Sequence, residues 1–225
     1  MRLPQLPTLD PDLLPLLCEH QDDLTKPQGA LGRLETLGIQ LAWIAGTPRP
    51  ADPEAFLLTF GGDHGIARHG VSAFPQEVTP QMVANMAAGG AAINVLCRAH
   101  RIVHQVIDVG VAVPCPFPGV LDRNVVRGTG DPLAGPAMTR AQAEAALQVG
   151  MDLVAELPER PFALLGLGEM GIANSAIAAL LVSALTGLEP ELAVGPGTGV
   201  QGEALLHKLD VIRQVLAFHR PDPQD

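Results

Sequence analysis

The chain has 225 residues, 47% of them hydrophobic, and sets 14 basic against 24 acidic side chains for a formal charge of −10 at pH 7. That length buries a sizeable core, and an acidic balance without a basic run argues against nucleic-acid or membrane-surface binding as the main task. No apolar run reaches the about eighteen residues needed to span a bilayer, and Met1-Arg2-Leu3-Pro4 lacks the apolar stretch of a secretory signal, so a soluble cytoplasmic protein is expected.

In chain order, residues 1–46 read as helix without a strand, including a stretch from Leu31 to Ala45. They are expected to form a small N-terminal helical appendage ahead of an α/β nucleotide-binding domain over residues 47–225. A buried-strand run follows at Ala55 to Phe60. Thr79 then makes an N-cap, with Pro80 in the first helical position, for one long helix from Pro80 to Arg98. A second strand spans Ile102 to Val111. The Pro- and Gly-rich segment Val113 to Pro136 has no periodicity and reads as a long loop, either functional or a plain surface excursion. Next come a helix from Arg140 to Leu157, a strand from Phe162 to Leu167, and helices from Ile172 to Leu185 and Glu203 to His219. Continuously apolar strands separated by helices imply parallel βαβ units. The expected class is therefore α/β, a doubly wound, mostly parallel sheet with flanking helices. Three strands are few for such a sheet, whose usual size is about five or six, so it is expected to be incomplete at the C-terminus.

Three glycine clusters could carry chemistry. Gly166-Leu167-Gly168-Glu169-Met170-Gly171 matches G-x-G-x-x-G, in which glycines bring the backbone close to a phosphate at a helix N-terminus. It could equally be a tight turn. No strand ending in an acidic residue follows about twenty residues on, which weakens a nicotinamide-dinucleotide oxidoreductase reading. Gly195-Pro196-Gly197-Thr198-Gly199 precedes the helix that carries Lys208, and backbone and hydroxyl donors with a nearby ammonium suit a phosphate; a loop beside a solvated lysine is the alternative. Gly61-Gly62-Asp63-His64-Gly65 ends a strand, where open α/β sheets bind ligands, so Asp63 and His64 either meet a ligand or satisfy the turn. Phe74 and Met82 flank the start of the Thr79 helix and could form an apolar slot for a flat ring, or simply core. The pairs His64/His69 and His100/His104 have only loose ligand spacing, and His100 closes a helix while His104 starts a strand, so no metal site is expected. Cys18, Cys97 and Cys115, far apart and odd in number, read as reduced thiols.

Taken together and in order, Lys26 to Glu35, Gly62-Asp63-His64-Gly65 with Val71 to Met82, Gly89 to Asn94, Gly168 to Ile172 and Gly197 to Val200 resemble the nicotinate-nucleotide:dimethylbenzimidazole phosphoribosyltransferase family. The resemblance covers most of the chain from Leu24 to Lys208. It implies transfer of the phosphoribosyl group of nicotinate mononucleotide to 5,6-dimethylbenzimidazole, giving α-ribazole 5′-phosphate and nicotinate in assembly of the cobalamin lower ligand. It also implies a homodimer and no cofactor. Phe74, Met82 and Met170 would line the benzimidazole slot, while Gly171, Ile172, Gly197, Thr198, Gly199 and Lys208 would hold the nucleotide. Asn174, Asp63 and His64 would join the substrate contacts, and Glu169 would sit between the two ligands. The sequence departs from the family pattern at Ala173 (usually Gly), Ser175 (usually Thr), Pro196 (often Arg) and Gln201-Gly202 (often an acidic pair). The resemblance further places the family's general base beyond Asp225, leaving Glu169 as the pocket carboxylate that could stand in, and so implies weak or no turnover by these 225 residues alone. Competing expectations are a dinucleotide oxidoreductase and a non-catalytic binding module. The acceptor base itself, whether dimethylbenzimidazole, another benzimidazole, adenine or a phenol, stays open at this point.

Overall fold

The structure is a computed structural model that describes residues 5–157 and 163–224. The chain divides into two compact units, one of Met1–Ala55 with Pro158–Leu164 and one of Phe56–Leu157 with Leu165–Asp225. In the first unit, helices α1 (Leu13–Asp22) and α2 (Arg33–Ala45) pack on each other, and Trp43 Nε1 donates to the Asp10 carbonyl at 2.5 Å. The turn leading into α2 is tied by Glu35, which pairs with Lys26 at 2.9 Å and accepts the N–H groups of Gly29 and Leu31. The Lys26 ammonium holds the Glu35 carboxyl below its usual range.

The second unit is an α/β layer. Its four-stranded sheet has the order β3-β2-β1-β4, with β1 at Glu54–Gly62, β2 at Val103–Gly110, β3 at Val120–Asp122 and β4 at Ala163–Met170. β1 and β2 run parallel with Thr59 opposite Val106 and Gly61 opposite Asp108, and β2 and β3 are parallel as well. A parallel pair needs a crossover, here helices α3 (Val78–Ala87) and α4 (Ala92–His100). Apolar side chains cover the sheet from two sides. Val83 and Met86 of α3 pack with Val106 and Val111, while Leu153 of α5 (Arg140–Glu156) packs with Leu58 and Ile107. Beyond the sheet's C-terminal end, α6 (Asn174–Thr186), the short α7 (Pro190–Ala193) and α8 (Glu203–His219) form a third cluster around Ala176, Ala179, Val211 and Ile212. Among the described residues, no helix is long and apolar enough to cross a membrane.

Several local expectations are corrected. The stretch expected as one helix from Pro80 to Arg98 is two. Gly89 takes a left-handed conformation at φ 81° and ends the first, and the Asn94 side chain opens the second by accepting the Ala91 N–H. Thr79 is not an N-cap: α3 already begins at Val78, and the buried Thr79 hydroxyl accepts the N–H of Ile172 at 3.0 Å. The expected loop from Val113 to Pro136 contains β3, so the sheet has a fourth strand that apolar runs do not reveal, and the short α7 is likewise absent from the sequence-based expectation. That loop is held by two carboxylates at strand ends. Asp108 accepts from Val111 N, Asn124 Nδ2 and Arg127 Nη1, each at 2.8 Å, and Asp63 Oδ2 accepts from Ala112 N at 2.9 Å. The expected strand start at Phe162 lies outside the described residues.

Candidate active site at the C-terminal edge of the sheet

The G-x-G-x-x-G match does not fold as a phosphate turn. Gly166 and Gly168 lie inside β4, where they face Leu57 and Thr59 of β1, and only Gly171 stands at the strand's end. The dinucleotide fingerprint is therefore absent as a structure, because its first two glycines serve close strand packing instead of a turn.

Gly171 is where the chain leaves β4 for α6. A Cβ there would overlap the Gly62 carbonyl oxygen and Asn174 Oδ1, so only glycine lets the two strand ends and the Asn174 amide meet. That amide is used on both sides. His64 Nε2 donates to Asn174 Oδ1 at 2.7 Å, and Asn174 Nδ2 donates to Glu169 Oε2. Burial pushes the Glu169 carboxyl up from its usual value. Burial also pushes the His64 imidazole down, against the opposing pulls of the Asn174 bond and the Asp63 charge.

The second half of the site rises from α8. Lys208 is fully buried, and its ammonium donates to Ser175 Oγ at 2.9 Å and to the Gly195 carbonyl at 3.0 Å. It forms no ion pair among the described residues, and burial lowers its pKa. The Gly195–Gly199 turn folds over it. Gly197, at φ 55°, leaves no room for a side chain, since a Cβ would overlap Ser175 Oγ and stand 3.1 Å from the ammonium. The same turn touches the segment before α3: Ser72 and Thr198 hydroxyls are 2.9 Å apart, and Ala73 N–H donates to Thr198 Oγ1 at 3.3 Å. Hydrogen bonds and close contacts thus link Thr198, Gly197, Lys208, Ser175, Asn174, Gly171, Glu169 and His64 into one contiguous group, with consecutive residues Asn174-Ser175 at its centre. An ammonium with spare bonding capacity, facing glycine and hydroxyl donors, can bind an anion.

Beside this group a cavity of about 380 Å³ opens between β1, β4 and the α3–α4 junction, walled by Leu57, Thr59, Met82, Met86, Ala91, Ala92, Ile93, Leu167, Gly168 and Glu169. Its walls are mostly apolar, and its size is in the range of small-molecule pockets. Of the expected slot residues, Met82 is on the wall. Phe74 is half exposed and outside the wall, its N–H near Ser72 Oγ at 3.4 Å. Met170 packs inward against the cluster around Val83 and Met86. Asp63 is buried and spends one oxygen on the loop at Ala112, while its Oδ1 has no partner among the described residues. Ile172 is buried, and its N–H is taken by Thr79. His69 pairs with Asp131 at 2.9 Å, whereas His64 pairs with Asn174. Motifs alone miss Thr59 and Ser72, as well as Ser175, which stands out in the sequence only as a departure from the family pattern, and they single out Thr79 for a helix cap and not for its bond to Ile172. Each is a lone hydroxyl in an apolar or turn segment, a signal visible in the sequence but without a partner there.

The DBI_PRT phosphoribosyltransferase family matches residues 6–225. Over 220 residues the chain is 47% identical to a nicotinate-nucleotide–dimethylbenzimidazole phosphoribosyltransferase of Cupriavidus taiwanensis, covering 97% of this chain and 64% of that protein. Over 218 residues it is 44% identical to the enzyme of the same name from Geobacter sulfurreducens, covering 96% of this chain and 62% of the relative. Among solved structures, CobT from Thermus thermophilus superposes with a TM-score of 0.85 at 42% identity, over 92% of this chain and 63% of that one. The chain thus spans a little under two thirds of the length of these relatives. With the fold, the glycine turns and these likenesses in agreement, the chain belongs to the DBI_PRT phosphoribosyltransferase family.

Proposed function

We propose that this chain supplies the nucleotide and base seats of an enzyme that moves the phosphoribosyl group of nicotinate mononucleotide to a benzimidazole such as 5,6-dimethylbenzimidazole. The observation that carries the reading is the buried Lys208 ammonium. It has no counter-charge among the described residues, and it is linked through Ser175 and Asn174 to Glu169 on the wall of an apolar cavity. A cation held out of water without a carboxylate is costly unless an anion completes it. The 5′-phosphate is such an anion, with the Gly197–Gly199 turn and Thr198 as further donors.

The chemistry asks little more. The bond from ribose C1′ to the pyridinium nitrogen breaks with its electron pair going to nitrogen, so nicotinate leaves with a neutral ring. A ring nitrogen of the base forms the new bond to C1′, and the N–H proton must pass to a base. Glu169, lifted by burial and held by Asn174, is the carboxylate in place to receive it. Lys208→Met tests the nucleotide half. Calorimetric titration with nicotinate mononucleotide is expected to weaken about tenfold or more, the loss of one charge-assisted bond. Equal affinity in the variant would remove the phosphate assignment.

A further inference from the structure

Thr59, on the wall of the apolar cavity, ends a polar chain that the proposed transfer does not use. Asn94 is buried, and its amide orientation is set by two backbone groups: Oδ1 accepts the Ala91 N–H at 3.0 Å and Nδ2 donates to the Met86 carbonyl at 2.9 Å. Flipping the amide would set N–H against N–H and oxygen against oxygen. The same Nδ2 faces His104 Nδ1 at 3.1 Å, so that ring nitrogen must be an acceptor. The imidazole proton therefore sits on Nε2, which lies 2.9 Å from Thr59 Oγ1 and donates to it. Thr59 then receives on its oxygen and keeps its own proton to give. The hydroxyl makes no other hydrogen bond among the described residues, and Thr59, only 4% exposed, is part of the cavity wall. Each link is a donor–acceptor requirement, and together they leave one hydroxyl proton on the cavity wall free to meet an acceptor.

We infer that Thr59 is a specificity-determining residue that donates a hydrogen bond to an acceptor atom on the buried edge of the planar base, so that the cavity prefers bases with a nitrogen or oxygen acceptor there over bases presenting only methyl groups. This rests on reading the cavity as the base seat. Thr59 lies three residues before the end of β1 at Gly62, roughly 10 Å below the strand's mouth at about 3.3 Å per residue. A benzimidazole whose reacting nitrogen faces Gly171 and Glu169 at the mouth turns its six-membered ring toward Thr59. An oxygen on that ring, or the six-ring nitrogens of a purine, would meet the hydroxyl, whereas a methyl in the same place leaves a buried donor unpaired.

The test is calorimetric titration of the 225-residue chain with 5-methoxybenzimidazole and 5,6-dimethylbenzimidazole, with nicotinate mononucleotide titrated in parallel. The wild-type chain is expected to bind the methoxy base several-fold more tightly than the dimethyl base. Thr59→Val should lose that preference by about fivefold, and Thr59→Ser should keep it. The inference is overturned if the wild-type chain shows no preference, if Thr59→Val weakens both bases equally, if Thr59→Ser behaves as the valine variant, or if neither base binds. The wild-type ratio decides the matter even if the valine variant does not fold. Nucleotide binding without a base preference would remove Thr59's role alone. A base preference without nucleotide binding would remove the phosphoribosyl reading and leave Thr59's role standing.

Discussion

Asn174 faces two neighbours with one amide, and each neighbour determines what the other half must do. His64 needs an oxygen for its Nε2–H, so the amino half turns to Glu169. Without that donor the carboxylate would hold its charge less readily, because partial burial already raises its pKa. Asn174→Leu is therefore expected to move the Glu169 carboxyl further up in a carbon-13 titration. It should also cost about 1–3 kcal/mol of unfolding free energy for the unpaired His64 donor. An unmoved Glu169 titration would show that the bond does not hold the carboxylate. None of this pairing is legible in the sequence, where His64 and Asn174 stand 110 positions apart; what is legible is that both sit at ends of elements, where an α/β sheet collects ligands.

At the scale of elements, the join between β4 and α6 shows how local rules give way. Ala173 caps α6 with a left-handed backbone at φ 75°, a conformation that suits glycine, and its methyl is buried among Ala176, Val211 and Ile212. A β-branched side chain fits neither the backbone nor the space. Ala173→Val is expected to lower stability by about 2 kcal/mol or more in chemical denaturation, and a neutral result would mean the helix start is not held in that conformation. Helix α8 follows from its apolar periodicity with the bounds it has, Glu203–His219, because a one-sided apolar face is a local property. The break at Gly89 and the three-residue strand β3 do not follow from pattern. A glycine pair is tolerated inside helices, and a strand of three residues has too few positions to show a period.

For the molecule as a whole, two partly buried imidazoles set a pH dependence. Burial lowers both His64 and His104 below the ordinary imidazole value of 6.5, and the Asn94 bond to His104 Nδ1 requires that ring to be neutral. The folded state thus binds fewer protons than the unfolded chain. Their contribution is fully present above about pH 6.5 and is lost as pH falls from there through the lower folded values. Glu169, raised by burial, opposes this trend, since its protonated form suits the fold. Denaturation free energies measured between about pH 7.5 and about pH 5 are expected to decline, with a flatter slope in the double variant His64→Gln/His104→Gln. An unchanged slope in that variant would assign the decline to other groups.

The sequence by itself determined the α/β class, most of the helices, the strands of β1 and β2, and the family. Those rest on apolar periodicity and on short motifs, which each segment carries locally. Only the tertiary structure decided that Gly166 and Gly168 pack strands instead of cradling phosphate, that Thr79 serves Ile172, and that Lys208 is buried against Ser175. A hydrogen bond needs two partners at about 3 Å, and residues far apart in the chain acquire that distance only once the sheet has brought their elements together.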